Sequence, residues 1–110
     1  MIANPRTDDE RLSEIVRRLV DAYRPLRIFL FGSKARGDAG PDSDYDLMVI
    51  VPDDAALERR SGAMAYDCLW ECRIAADILV WTQSSFNRRK HIVSSLPATI
   101  MREGKLLYVA

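Results

Sequence analysis

The hydrophobic pattern of this chain changes period several times, and each change marks an element. Leu12, Ile15, Val16, Leu19, Val20 and Tyr23 recur at helical spacing and predict an amphipathic helix over 7–23. Thr7 with Glu10 three residues on matches a capping box, and Pro25 discourages continuation. The apolar run 26–31 reads as a first strand. A second run, 45–51, is almost continuously apolar, as in a strand covered on both faces. After the break at Pro52, positions 56–73 read as a second helix with Leu57, Met64, Ala65, Cys68 and Cys72 towards the core. Gly62 weakens that helix by about 1 kcal/mol relative to alanine and invites a kink. A third strand follows at 76–81, then a short basic helix capped by Ser84 or Ser85 and running through His91. Leu96 and Pro97 open a last short helix, which Gly104 stops, and 105–109 forms a closing strand. The expected fold is α+β: one domain over 1–110, a small mixed sheet with helices packed on its faces.

Composition narrows the function classes. The formal net charge is zero, which disfavours non-specific nucleic-acid binding through many phosphate contacts. No apolar stretch approaches the roughly 20 residues that span a bilayer. The first nine residues contain no apolar run of a secretory signal, so the expected location is cytoplasmic. Cys68 and Cys72 are expected as reduced thiols on one helix face, because a lone C-x₃-C lacks the further ligands that zinc needs.

Candidate chemistry concentrates in FLFGSKARGDAGPDSDYDLMVIV, residues 29–51. Asp44 and Asp46 stand at the head of the second strand. Residues i and i+2 of a strand share a face, roughly 6.6 Å apart along the backbone. Two ionised carboxylates so close repel each other unless a cation sits between them. Oxygen ligands without nearby Cys or His suit Mg²⁺, which takes one or two carboxylates together with substrate phosphates. Gly32 allows close approach of a phosphate, and Ser33 is placed to open a short helix whose first N–H groups face the anion. Lys34 and Arg36 add positive charge to the same turn.

These residues carry a family resemblance. G-S-x-A-R-G, a loop, then S-D-x-D-L and an apolar strand resembles the DNA polymerase β-type nucleotidyltransferases, and more narrowly the minimal nucleotidyltransferases of prokaryotes. The family pattern asks for a third carboxylate on a later strand, and Asp77 within 75–81 supplies one. The ending, from Ser95-Leu96-Pro97 to Leu107-Tyr108, resembles members of the same group. The resemblance implies ATP as substrate and two Mg²⁺ ions held by Asp44, Asp46 and Asp77, with the same three residues catalytic. It implies nucleotide binding by Gly32, Ser33, Lys34 and Arg36. It also implies transfer of AMP to a hydroxyl, and an antitoxin role beside a helical toxin of the HEPN class. Two other readings stand beside this one: a catalytically silent antitoxin that acts by binding, and an enzyme for a small acceptor such as an aminoglycoside. Aminoglycoside enzymes carry an additional helical domain for the acceptor, which the sequence in hand does not show.

Other features have plainer readings. Asp77 sits in an otherwise apolar run, where a buried lone carboxylate is costly and a metal would relieve that cost. His91 lies in a basic polar stretch with no acidic or Cys partner in sequence. Arg88, Arg89 and Lys90 read as a solvated helix face, with Trp81 beside them as part of a docking surface. Tyr23, Tyr66, Trp70 and Trp81 read as core or interface residues rather than base-stacking platforms.

Overall fold

The computed structural model describes residues 8–40 and 43–110. Helix α1, Asp8–Tyr23, buries Ile15, Leu19 and Tyr23 along one stripe, the face that its spacing predicts. Thr7, the expected cap, lies outside the described residues. Strand β1, Arg27–Phe31, follows, then the single-turn helix α2, Ser33–Arg36, and strand β2, Tyr45–Val51. Helix α3, Ala63–Leu69, leads to strand β3, Ala76–Thr82. Helices α4, Gln83–Arg89, and α5, Leu96–Glu103, precede the closing strand β4, Lys105–Val109.

The four strands lie in the order β3-β2-β1-β4. β2 runs antiparallel to β1 and parallel to β3, and β4 is antiparallel to β1, so the sheet is mixed as expected. Alternation along the strands then makes two cores. Ile28, Leu30, Leu47 and Val49 face α1 and α3. Phe29, Met48 and Ile50 face the other way, against Phe86 of α4 and Ile100 of α5. The Phe29 and Phe86 rings stack with centroids 6.0 Å apart, fixing α4 on this second face. β2, buried on both sides, is the strand the rest is built around.

Three local expectations are corrected. The helix over 56–73 is broken: a 3₁₀ turn, Leu57–Arg59, comes first, and α3 starts only after Gly62. Gly62 stands at that break, where only a residue without a side chain fits, because a Cβ would lie 2.9 Å from the Ile78 carbonyl oxygen. Leu57, assigned to the core, is consequently 79% exposed. Thr82, not Ser84 or Ser85, caps α4: its Oγ1 accepts from the Ser85 N–H. Gly104 ends α5 in an extended conformation, φ −74 and ψ 162, rather than as a left-handed cap. Its lack of a side chain instead lets the chain pass close to the Ile100 and Leu30 carbonyls.

Tyr23 ties α1 to the start of α3. Its hydroxyl donates to the Ser61 carbonyl at 2.6 Å and accepts from the Ala65 N–H at 2.8 Å. Burial pushes its phenol pKa up, as suits a neutral donor and acceptor in the core. Cys72 is buried and Cys68 partly so, both as free thiols.

Candidate active site

The register of the sheet assembles the site. Phe31 pairs with Asp46, and Asp46 pairs with Asp77, so the end of β1 and both carboxylate positions lie in one row across the sheet. Asp46, two residues before Met48, points to the α4–α5 face, but at an end of the sheet where it is only partly covered. Asp77 projects from the same face of β3.

Gly32 follows β1 directly, with φ 74 and ψ −157, a backbone shape that side chains disfavour. A Cβ there would overlap Asp46 Oδ2. The Asp46 carboxylate therefore lies against the Gly32 backbone, at the mouth of the turn that Ser33 opens into α2. The Ala35 and Arg36 N–H groups both donate to the Gly32 carbonyl, closing that turn.

Electrostatics mark Asp46 as the centre. Its carboxyl is raised above the ordinary aspartate range, first by burial and then by repulsion from Asp77 and Asp44. A side-chain hydrogen bond with Asp77 adds to the rise, and Arg36 opposes it. A carboxylate crowded by two others and relieved by one guanidinium is poised to accept a cation. Asp46 and Asp77 are the adjacent pair. Asp44 is exposed ahead of β2 and acts on Asp46 through space. Among the described residues, no group of three His, Cys, Asp or Glu side chains is drawn tightly enough to hold an ion alone. Two carboxylates with substrate phosphates meet the requirement of Mg²⁺ without a third protein ligand, so the donor set fits that ion.

The other expected site residues divide. Ser33 is partly exposed at the start of α2. Arg36 is within electrostatic reach of Asp46, with its Nε donating to Asp38 Oδ2 at 3.1 Å and its Nη1 3.8 Å from Glu103 Oε2. Lys34 turns away: its ammonium lies 4.5 Å from the centroid of the Tyr45 ring, and Tyr45 faces the α1–α3 core. His91 is exposed in the turn beyond α4. Trp81 is partly buried with the Arg89 guanidinium 5.3 Å from its ring centroid.

One premise for Asp77 is overturned. The apolar run around it suggested burial, yet Asp77 is exposed, because β3 is an edge strand. What singles it out is its register with Asp46. Tyr66 and Trp70, expected in the core or an interface, are not core residues: they are 69% and 67% exposed. The sequence reading missed Glu103 as a partner of Arg36, because no local spacing links residues so far apart in the chain.

Known proteins share this fold. The family model described as "Nucleotidyltransferase domain" matches residues 10–106. A Methanocaldococcus jannaschii protein described as a "Putative protein adenylyltransferase" is 28% identical over 105 residues, covering 92% of this chain and 98% of that protein. Among solved structures, one described as a "putative nucleotidyltransferase" from Sulfolobus solfataricus superposes with a TM-score of 0.61 at 22% identity. It covers 90% of this chain and 78% of the other. A chain from a toxin–antitoxin crystal structure with AMP-PNP gives a TM-score of 0.61 at 20% identity, covering 89% and 73%. At such identities the solved structures speak for the fold alone, which they share. The family model spans nearly the whole length, and this chain belongs to the nucleotidyltransferase domain family.

Proposed function

We propose that this chain transfers AMP from ATP to a hydroxyl on a partner protein, a helical toxin of the HEPN class, and so acts as an antitoxin. The observation that carries the reading is the Asp46–Asp77 pair facing the Gly32–Ser33 turn. The relative described as a "Putative protein adenylyltransferase" supports the AMP transfer, and the toxin–antitoxin structure with AMP-PNP supports the nucleotide and the partner.

Gly32 and Ser33 receive the phosphates, with Arg36 leaving Asp38 and Glu103 to neutralise part of their charge. Lys34, on the same turn, contributes only by leaving Tyr45. Asp46 and Asp77, with Asp44 beside them, would hold two Mg²⁺ ions, which would neutralise charge on the triphosphate and on the carboxylates. The acceptor oxygen attacks the α-phosphorus. A new P–O bond forms, the bond to the bridging oxygen of the β-phosphate breaks, and pyrophosphate leaves with that electron pair. Asp77 takes the proton of the hydroxyl. The protein contributes positioning and charge rather than covalent chemistry.

Incubation with ATP, Mg²⁺ and a helical toxin of the HEPN class, the product of an adjacent gene where one exists, tests this reading by intact mass spectrometry. The expected result is whole AMP masses added to the partner, absent with Asp77→Ala. A tight complex that gains no mass under the same conditions contradicts it.

A further inference from the structure

The site has a direction across the sheet. Gly32 ends β1, Asp46 lies on β2 and Asp77 on β3, and beyond β3 no further described strand follows. In an in-line displacement, entering oxygen and leaving pyrophosphate stand on opposite sides of the phosphorus. With the phosphates at Gly32 and Ser33, the entering hydroxyl arrives from the β3 edge. This step rests on the reading above.

That edge has a particular form. The Tyr45 N–H donates to the Ala75 carbonyl at 3.1 Å, which sets the parallel pattern. Asp77 and Leu79 then turn their main-chain groups to β2, while Ala76 and Ile78 turn theirs outward. Gly62 closes the edge at the Ile78 carbonyl, where a Cβ would come within 2.9 Å. The stretch of edge at Ala76 borders a cavity of about 650 Å³ between α3 and β3. Tyr66 and Trp70 wall it, ring centroids 5.7 Å apart, and Arg73 gives its rim a positive charge. Large aromatics left exposed together mark interaction surfaces.

We propose that the open first part of β3 receives an extended segment of the acceptor protein as a short added strand. Side chains of such a strand alternate between the two faces of the sheet. The hydroxyl residue stands on the Asp77 face, about 4.8 Å to the side of β3. Its immediate neighbours point to the opposite face, where an apolar side chain packs on Tyr66 and Trp70. An acidic side chain on that same face complements Arg73. The cavity lies against α3 and its lining reaches round the edge to Asp77, so a segment laid along that edge meets the aromatic wall and the carboxylate residue together.

A display library of short peptides tests this, each with one fixed tyrosine or serine and randomised neighbours, incubated with alkyne-tagged ATP and Mg²⁺. Labelled peptides are expected to be enriched in apolar residues immediately before or after the hydroxyl residue. The double variant Tyr66→Ser with Trp70→Ser should lower labelling by roughly tenfold, as loss of an aromatic anchor does. Both residues are exposed, so its melting temperature and its stabilisation by ATP with Mg²⁺ should match wild type. Ala76→Pro, which removes an outward N–H at the first residue of a strand, should lower labelling as well. Labelling without preference at the adjacent positions, or unchanged in the double variant, overturns the proposal. No labelled peptide from a wild-type chain that ATP and Mg²⁺ still stabilise overturns the docking and spares the nucleotidyltransferase reading. A wild-type chain that ATP and Mg²⁺ do not stabilise sinks both.

Discussion

Asp46 is where local chemistry and global fold meet, since it is crowded by Gly32 on one side and Asp77 on the other. Its raised pKa fixes the sign of a pH effect. A carboxyl raised in the folded state stabilises fully below the ordinary aspartate pKa of about 4, and that stability is lost as pH rises through the raised value. In EDTA at neutral pH, Asp46→Asn should therefore raise the melting temperature, and the gain should shrink towards zero as the pH falls below the ordinary range. A destabilised variant at neutral pH would mean that the carboxylate is a structural acceptor instead. Gly32→Ala forces a side chain against Asp46 and into a positive φ, so stabilisation by ATP with Mg²⁺ should largely disappear; an unchanged ATP-dependent thermal shift would refute this. Tyr23→Phe strands the Ala65 N–H and the Ser61 carbonyl, and urea unfolding should show a loss of roughly 1–3 kcal/mol.

At the scale of elements, most of the fold was legible because period and punctuation agree. The stripe of α1 and the apolar run of β2 each reflect burial that the element itself imposes. What was not legible depended on distant parts of the chain. Gly62 is required at the break because the Ile78 carbonyl passes there, and Asp77 is exposed because of its place at the sheet edge. The cap of α4 was misplaced by a few residues, since Thr82 serves both as the end of β3 and as the first turn's acceptor. Thr82→Ala should lower stability by about 1 kcal/mol, as loss of an N-cap does, measured by chemical denaturation. A neutral result would mean that the packing of Phe86 alone holds α4.

Across the whole molecule, antiparallel β1–β2 and parallel β2–β3 pairing bring a glycine turn and two carboxylates to one row. The motif order in the sequence announced these residues, but only the register shows which of them meet. Asp46 and Asp77 come together, Asp44 stays at the solvent side, and Lys34 is drawn to Tyr45 on the other face. The central claim is that this row holds a nucleotide together with a divalent cation. Titration calorimetry with the α,β-methylene analogue of ATP, which cannot lose pyrophosphate, tests it most directly. The account predicts binding in the presence of Mg²⁺, little binding in EDTA, and loss of the Mg²⁺-dependent part when both Asp46 and Asp77 are changed to Asn. Equal affinity with and without Mg²⁺, or binding unaffected by the double substitution, would contradict it.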